Sequence, residues 1–383
     1  MVSARLKISS VTKVFGEHEA LSDITISVEP GEFVSILGPS GCGKSTLLRV
    51  VAGLEGASRG SIEIGDADVG GVAPKDRGVA FVFQNYALYP HLTVRRNIAA
   101  PLMMRELNGW GRIPAFSAVS GRAKAIRRDI DDRVERIGEL LELTPFMERR
   151  PSQLSGGQRQ RVALGRALVR DPKVLLMDEP LANLDASLRI KVRTEILDLQ
   201  RRLGTTTLFV THDQTEAFAV SDRVAVMFKG QVRQFDTPDN LYRRPADIDV
   251  AGFLAQPHLN HIDGSIRSDG IVCVGDHAIA AAEARLPQQA AVLAFRPEHA
   301  VIETTARHGA LPATVTRIEH AGADAHVFLA CAFTQKPLVV RIGSRDAHNY
   351  KTGATVGFFI DSAQAWVFPR DRDAVHATAF KAA

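Results

Sequence analysis

The sequence has few of the residues that mark a secreted or a membrane-embedded protein. Its 383 residues include only three cysteines, Cys42, Cys273 and Cys331, which lie far apart without metal-ligand spacing. We expect reduced thiols, as in a cytosol. No run approaches the roughly 18 consecutive apolar residues of a membrane span, and the N-terminal segment lacks the apolar core of a signal peptide. These absences predict a cytoplasmic protein.

The chain also lacks a large excess of charge of either sign. Its 47 lysines and arginines stand against 43 aspartates and glutamates, a net charge of +4. The basic residues are scattered and form no stripe that could follow a phosphate backbone, so we expect no nucleic-acid partner. The length exceeds that of one ordinary domain, which predicts two.

The pattern of strands and helices changes along the chain. Over residues 1–235 short apolar runs alternate with helical stretches, which predicts a doubly wound α/β domain with a parallel sheet. It opens with an antiparallel β subdomain, and residues from about 90 to 153 form a helical insertion. Residues 236–383 hold many short β-rich runs separated by Gly, Asp, Asn and Pro, which predicts a β-barrel or sandwich.

A glycine-rich loop follows an apolar run at residues 33–37 and precedes a helix predicted over residues 44–52. Its residues match G-x-x-x-x-G-K-[ST]: Gly38, Pro39, Ser40, Gly41, Cys42, Gly43, Lys44 and Ser45. The glycines let backbone N–H groups turn round phosphate oxygens. We expect Lys44 to reach the β- and γ-phosphates of ATP, Ser45 to bind Mg²⁺, and Thr46 to lie near the α-phosphate. This loop alone does not separate kinases, GTPases, helicases and transport ATPases.

Two carboxylates end a second apolar strand, predicted over residues 174–177. Asp178 lies at the carboxyl end of the strand, where it is placed to hold Mg²⁺ through water. Glu179 follows directly and can accept a proton from an attacking water molecule. Behind a phosphate loop, this pair predicts nucleotide hydrolysis.

A short glycine-containing segment precedes a helix predicted over residues 159–169. It consists of Leu154, Ser155, Gly156, Gly157 and Gln158. Ser155 is a good helix N-cap, and the glycines leave N–H groups bare at a helix start, which makes an anion site without a lysine of its own. With this segment the chain resembles the ABC ATPase family. The resemblance implies that the segment closes over the γ-phosphate bound by a second copy.

Other residues resemble further elements of that family in the expected order. Gln84 resembles the glutamine that senses Mg²⁺ and the attacking water, and is thereby a metal candidate as well. Asp185, in an Asn-Leu-Asp run, resembles a residue that contacts the opposite subunit. His212 resembles the histidine that contacts the γ-phosphate and steadies the catalytic Glu179. Phe15 stands where the family often carries a tyrosine that stacks on adenine.

Three segments are similar to maltose-type and glycerol-phosphate-type importers. Residues 86–94 look like the segment that faces the membrane subunit, and residues 235–253 like the linker into a C-terminal domain. Residues 295–299 resemble a motif of that domain, an oligonucleotide-fold-like barrel that regulates transport and adds to dimer contact. The resemblance implies an ATPase domain at residues 1–235 and a regulatory β domain at 236–383.

Two segments depart from the pattern of these importers. Residues 105–128 are longer than usual and carry Arg112, Arg122, Lys124 and Arg127. We interpret them as a solvated loop, with residues 109–121 exposed; the other hypothesis is a role against the membrane subunit or lipid headgroups. Residues 256–260 differ from the usual Gly-Ser-Pro opening of the barrel.

The resemblance implies a peripheral importer subunit on the cytoplasmic face of the inner membrane. Its expected partners are a second copy, two integral membrane permease subunits and, indirectly, an external solute-binding protein. The expected cofactor is Mg²⁺, and a carbohydrate or polyol is the leading solute; polyamine, iron and thiamine importers have similar subunits. Two alternatives remain. A non-transport ABC ATPase acting on nucleic acid or ribosomes usually has two cassettes or a long coiled coil, and a kinase has no use for residues 154–158.

Overall fold

A computed structural model of the chain describes residues 3–107, 121–282, 289–304, 310–361, 364–369 and 378–381. The chain divides into two compact units, Met1–Pro238 and Asp239–Ala383. The loop predicted at residues 109–121 lies outside the described residues except for its last residue. No helix in the described ranges is long and apolar enough to cross a membrane.

The first unit combines two sheets with helices. Its strands are β1 (Leu6–Phe15), β2 (His18–Val28), β3 (Phe33–Leu37), β4 (Arg59–Ile64), β5 (Ala67–Asp68), β6 (Val79–Val82), β7 (Val174–Asp178), β8 (Thr206–Thr211), β9 (Arg223–Phe228) and β10 (Gln231–Asp236). Its helices are α1 (Lys44–Ala52), α2 (Val94–Glu106), α3 (Gly121–Leu140), α4 (Gly156–Leu168), α5 (Ala186–Leu203) and α6 (Gln214–Val220).

The central sheet has the strand order β10-β9-β3-β8-β7-β6. Every neighbouring pair is parallel except β10 and β9. The carboxyl ends of parallel strands meet at one edge, where α/β sheets bind their ligands. Four segments therefore come together: the phosphate loop after β3, Gln84 after β6, Glu179 after β7 and His212 after β8.

Alternate residues of the central strands face two different hydrophobic cores. Phe33, Leu175 and Met177 belong to the core that includes α2, α3, α4 and α5. Val34 and Leu176 belong to the core that includes α1 and strands of the antiparallel sheet β2-β1-β4-β5. Burial on both faces explains why these strands read as continuous apolar runs.

Two predicted boundaries in the helical insertion are wrong. Residues 121–128, interpreted as loop, form the start of α3. Ala123 and Ile130 on this helix pack into the core that includes α2, α4 and α5. Of the basic residues there, Arg112 lies outside the described residues. Helix α4 begins at Gly156 rather than at residue 159, since Ser155 caps it.

Arg77 closes the carboxyl end of α1, the helix that starts at the phosphate loop. Its guanidinium is buried and donates to the carbonyls of Val50 and Val51 at 3.1 Å each, and to Val72 at 2.8 Å. Burial lowers the pKa of Arg77, and the nearby charge of Asp68 opposes that shift. The terminal carbonyls of a helix need such donors.

Arg77→Met is expected to lower the free energy of unfolding by about 2–4 kcal/mol, because buried helix carbonyls lose charged donors. Urea denaturation of the full chain measures it. The matched control is Arg5→Met, whose ion pair with Glu29 is about half exposed and should stay within about 0.5 kcal/mol of wild type. Equal losses in the two variants would contradict the assigned role.

The second unit is mostly β-structure. Its strands are β11 (Asn260–Ile266), β12 (Ile271–Val274), β13 (His277–Ala282), β14 (Gln289–Phe295), β15 (Ala300–Glu303), β16 (Leu311–Ala321), β17 (Asp324–Cys331), β18 (Leu338–Gly343), β19 (Thr355–Ile360), β20 (Trp366–Pro369) and β21 (Thr378–Lys381). Six of them close a barrel in the order β11-β12-β13-β21-β20-β14, and five form a sheet in the order β15-β19-β16-β17-β18. The segment predicted as a linker contains two short helices, α7 (Pro238–Arg243) and α8 (Ile248–Phe253).

Candidate nucleotide-binding site

The phosphate loop contains the left-handed backbone conformations that its glycines allow. Gly41 and Gly43 have φ values of 79° and 105°, and a Cβ on Gly43 would lie 2.7 Å from the carbonyl oxygen of Ala20. Lys44 is buried and its Nζ donates to the carbonyls of Gly38 at 2.8 Å and Pro39 at 2.9 Å. These bonds hold the ammonium against the loop that is predicted to bind the phosphates.

Cys42 fills space inside the loop. Its side chain is buried, and burial raises the pKa of the thiol, with the charge of Lys44 opposing the shift. A neutral thiol at neutral pH is a small hydrophobic group. The geometry therefore agrees with a packing role for this residue.

Two of the three predicted magnesium ligands, Ser45 and Asp178, are adjacent. Ser45 Oγ donates to Asp178 Oδ1 at 2.8 Å. Hydroxyl and carboxylate oxygens are the ligands that Mg²⁺ accepts, completed by water and substrate phosphates. Within the described residues there is no group of three or more His, Cys, Asp or Glu side chains placed to hold a metal ion. The adjacent hydroxyl of Ser45 and carboxylate of Asp178 fit a cation whose remaining ligands are water and nucleotide phosphates.

Burial raises the pKa of Asp178. The hydrogen bond from Ser45 opposes this shift, whereas the neighbouring charge of Glu179 adds to it. A carboxyl that holds its proton more tightly in the folded state lowers stability as the pH rises from its ordinary pKa through the raised one. A bound divalent cation would favour the ionised form.

The carboxylate of Glu179, which follows β7, contacts side chains that follow the neighbouring strands β6 and β8. Its Oε2 accepts a hydrogen bond from Gln84 Nε2 at 3.2 Å and lies 3.3 Å from His212 Nδ1. Glu179 has a φ of 44°, uncommon for a residue other than glycine, and its N–H donates to Val210 at 3.0 Å. Such backbone strain often occurs at functional sites. The structure thus brings the three predicted catalytic residues to one carboxylate oxygen.

Several supporting side chains were not predicted. Asn183 Nδ2 donates to the carbonyl of Gln84 at 2.9 Å. Thr211 Oγ1 donates at 2.6 Å to buried Glu216, whose pKa is raised by burial. Arg189 lies 3.5 Å from Glu216 and donates to the carbonyl of Leu184. These contacts join the segments that carry His212, Gln84 and Asp185, and local sequence patterns give no signal for them.

The segment at residues 154–158 begins α4 with a capping box. Gln158 N–H donates to Ser155 Oγ at 3.3 Å, and Ser155 N–H donates to Gln158 Oε1 at 2.9 Å. A Cβ on Gly156 would lie 3.0 Å from Leu184, and one on Gly157 would lie 3.3 Å from Leu188. The glycines therefore allow α4 to pack closely against the start of α5.

Asp185 caps α5 and Phe15 ends β1. Asp185 accepts from the N–H of Leu188 at 2.8 Å and from Ser187 Oγ at 2.9 Å, and these bonds lower its pKa. Phe15 is 45% exposed, with Lys13 Nζ 4.5 Å from the ring centroid. Its ring is available for stacking, on a hairpin whose second strand borders Gly43.

A phosphate loop, a carboxylate pair at the neighbouring strand end and a capped Ser-Gly-Gly helix start together define an ABC-type ATPase. The sequence profile described as ABC transporter matches residues 21–182, and the TOBE domain profile matches residues 293–368. The chain belongs to the ABC transporter family. Within such a transporter it is an ATP-hydrolysing subunit. This confirms the predicted resemblance and fold class.

Among its relatives is the trehalose/maltose import ATP-binding protein MalK of Thermococcus litoralis, 50% identical over 71% of this chain and 70% of that protein. The sn-glycerol-3-phosphate import ATP-binding protein UgpC 1 of Rhizobium johnstonii is 43% identical over 96% of this chain and 95% of that protein. The solved dimeric structure of MJ0796, a bacterial ABC transporter cassette, matches with a TM-score of 0.51 and 32% identity, covering 61% of this chain and 98% of that one.

Proposed function

We propose that this chain works as a homodimer that binds two ATP molecules between its copies and drives import of a small solute. The convergence of Gln84 and His212 on Glu179 Oε2 carries the proposal, because a carboxylate held by two side chains at the ends of three strands is suited to act as a base. The similar cassette MJ0796 is dimeric. In the proposed dimer, residues 154–158 of one copy close on the γ-phosphate held by the other, and Asp185 lies at the dimer contact.

Each residue of the site then has a chemical task. Lys44 and the loop N–H groups bind the phosphates. Ser45, Asp178 and Gln84 would hold Mg²⁺, which supplies positive charge against the phosphate oxygens. Glu179 accepts the proton of the attacking water, and His212 orients that carboxylate.

A groove of about 800 Å³ in the first unit is the proposed docking site for a permease subunit. It is lined by Phe83, Tyr89 and Met104, which are 36%, 37% and 58% exposed. Exposed apolar side chains grouped in a groove suit an amphipathic helix. The related MalK and UgpC are named import ATP-binding proteins, which favours a helix from a membrane subunit as the occupant. The chain would thereby be held at the cytoplasmic face of the inner membrane.

The solute is proposed to be a carbohydrate or polyol, delivered by an external binding protein. Trehalose, maltose and sn-glycerol 3-phosphate appear in the names of relatives that are 43–50% identical. Deleting the gene is expected to abolish uptake of at least one of these three labelled solutes.

The matched control is complementation: wild type should restore uptake, whereas a Glu179→Gln chain should not. A tagged full-length chain should also co-purify with an integral membrane protein from detergent extracts. Unchanged uptake of all three solutes together with recovery only on nucleic acid would contradict the proposal.

A further inference from the structure

We infer that Arg166 is a positioning residue for Gln84. Its guanidinium, on α4, holds the two backbone carbonyls that lie two and three residues after Gln84. It thereby links the proposed docking groove to the hydrolytic Glu179. The inference rests on the proposed function of that groove and of Gln84.

The contact is a paired one. Arg166 Nη2 donates to the carbonyl of Tyr86 at 2.7 Å, and Nη1 donates to the carbonyl of Ala87 at 2.6 Å. A guanidinium is a planar fork, so it holds two adjacent acceptors in a fixed geometry that a lysine ammonium does not reproduce. Burial lowers the pKa of Arg166, with the Tyr89 side chain opposing the shift. Arg166 is partly buried, and these two bonds compensate the hydration that its guanidinium loses.

The backbone that Arg166 holds is in an uncommon conformation. Tyr86 and Ala87 have φ values of 61° and 45°, in the left-handed region that residues with a Cβ disfavour. The N–H of Tyr86 donates to Phe83 at 2.8 Å and closes a turn around Gln84. Such a turn persists only where its surroundings enforce it. Arg166 supplies that enforcement at the end of the turn.

The turn has its other anchors inside the catalytic site. Asn183 Nδ2 donates to the carbonyl of Gln84, and Gln84 Nε2 donates to Glu179. Arg166, Ala87 and Tyr89 also line the groove. A helix seated there would contact the guanidinium or the backbone that it holds. A shift of this turn would move the Gln84 amide relative to the Glu179 carboxylate.

A double-mutant cycle on the purified full-length chain tests the inference. Arg166→Met is expected to lower kcat for ATP hydrolysis about tenfold with KM for ATP changed less than about twofold. In a Gln84→Ala background the same substitution should cost less than about twofold, because its effect acts through Gln84. Arg166→Lys, which keeps the charge but not the fork, should give an intermediate loss and replaces Arg166→Met in the cycle if that variant does not fold.

The matched control is Arg223→Met, which removes a guanidinium that pairs with Glu32 and donates to the carbonyl of Ser27 in the same unit. It should change kcat equally, and only slightly, in both backgrounds. In Arg166→Lys the amide of Tyr86 should exchange with deuterium faster, while the β8 amides keep their wild-type rates. Equal fold losses for Arg166→Met in both backgrounds would overturn the inference alone. A Gln84→Ala chain with wild-type kcat would overturn both the inference and the role proposed for Gln84.

Discussion

Glu179→Gln in the full-length chain is expected to lower kcat for ATP hydrolysis by about 10²–10⁴-fold, the range for loss of a general base. The amide cannot accept the proton of the attacking water. It nevertheless has the same size, and its oxygen can still accept from Gln84 Nε2, which donates to the carboxylate at 3.2 Å. ATP binding should therefore remain, and the variant should accumulate as an ATP-bound dimer.

Steady-state phosphate release and size-exclusion chromatography with ATP and Mg²⁺ measure the two effects. The matched control is Glu63→Gln, which removes a carboxylate that pairs with Lys7 on the antiparallel sheet and should leave kcat unchanged. A Glu179→Gln chain that hydrolyses ATP at the wild-type rate would show that another group takes the proton.

Mixing two inactive variants is expected to restore activity if each nucleotide is bound by both copies. Lys44→Ala removes the lysine proposed to bind the phosphates, and Ser155→Arg places a bulky side chain at the N-cap of α4. Each homodimer should lose about 10²-fold or more in kcat. In a mixed dimer, the intact loop of the Ser155→Arg chain faces the intact residues 154–158 of the Lys44→Ala chain. Random pairing gives half mixed dimers with one of two sites complete, so roughly a quarter of wild-type activity should return if the sites act independently.

The same mixing experiment has a stringent control. Lys44→Ala and Glu179→Gln both damage the loop side of a composite site, so their mixed dimer contains no complete site and should stay inactive. Restoration in this control, or failure in the first mixture when mixed dimers do form, would contradict a site shared between copies. The inverse arrangement, with residues 154–158 acting on their own chain's nucleotide, would give no restoration in either mixture.

Local signals were sufficient for several helices. The sequence pattern predicts helices over residues 186–203 and 214–220 as well as 44–52. These bounds agree with α5, α6 and α1, since each boundary depends on neighbours in sequence. Gly53 and Gly204 end α1 and α5 in the left-handed conformation, and Asp185 and Asp213 cap the starts of α5 and α6. The prediction was weaker around α3 and in the segment of α7 and α8, where packing onto distant residues decides whether a short stretch is helical.

Local sequence patterns are enough to identify the class of protein. A phosphate loop, two carboxylates ending an apolar strand and a Ser-Gly-Gly helix start are local patterns whose chemistry follows from residue types and spacing. How distant segments meet depends instead on the packing of the whole domain. Gln84 and His212 both contact Glu179 Oε2, because β6, β7 and β8 are parallel neighbours in the sheet. Arg166 reaches the turn after Gln84 because α4 packs beside it, 80 residues along the chain from Tyr86. Strand order and helix packing are set by long-range burial, which no local pattern encodes.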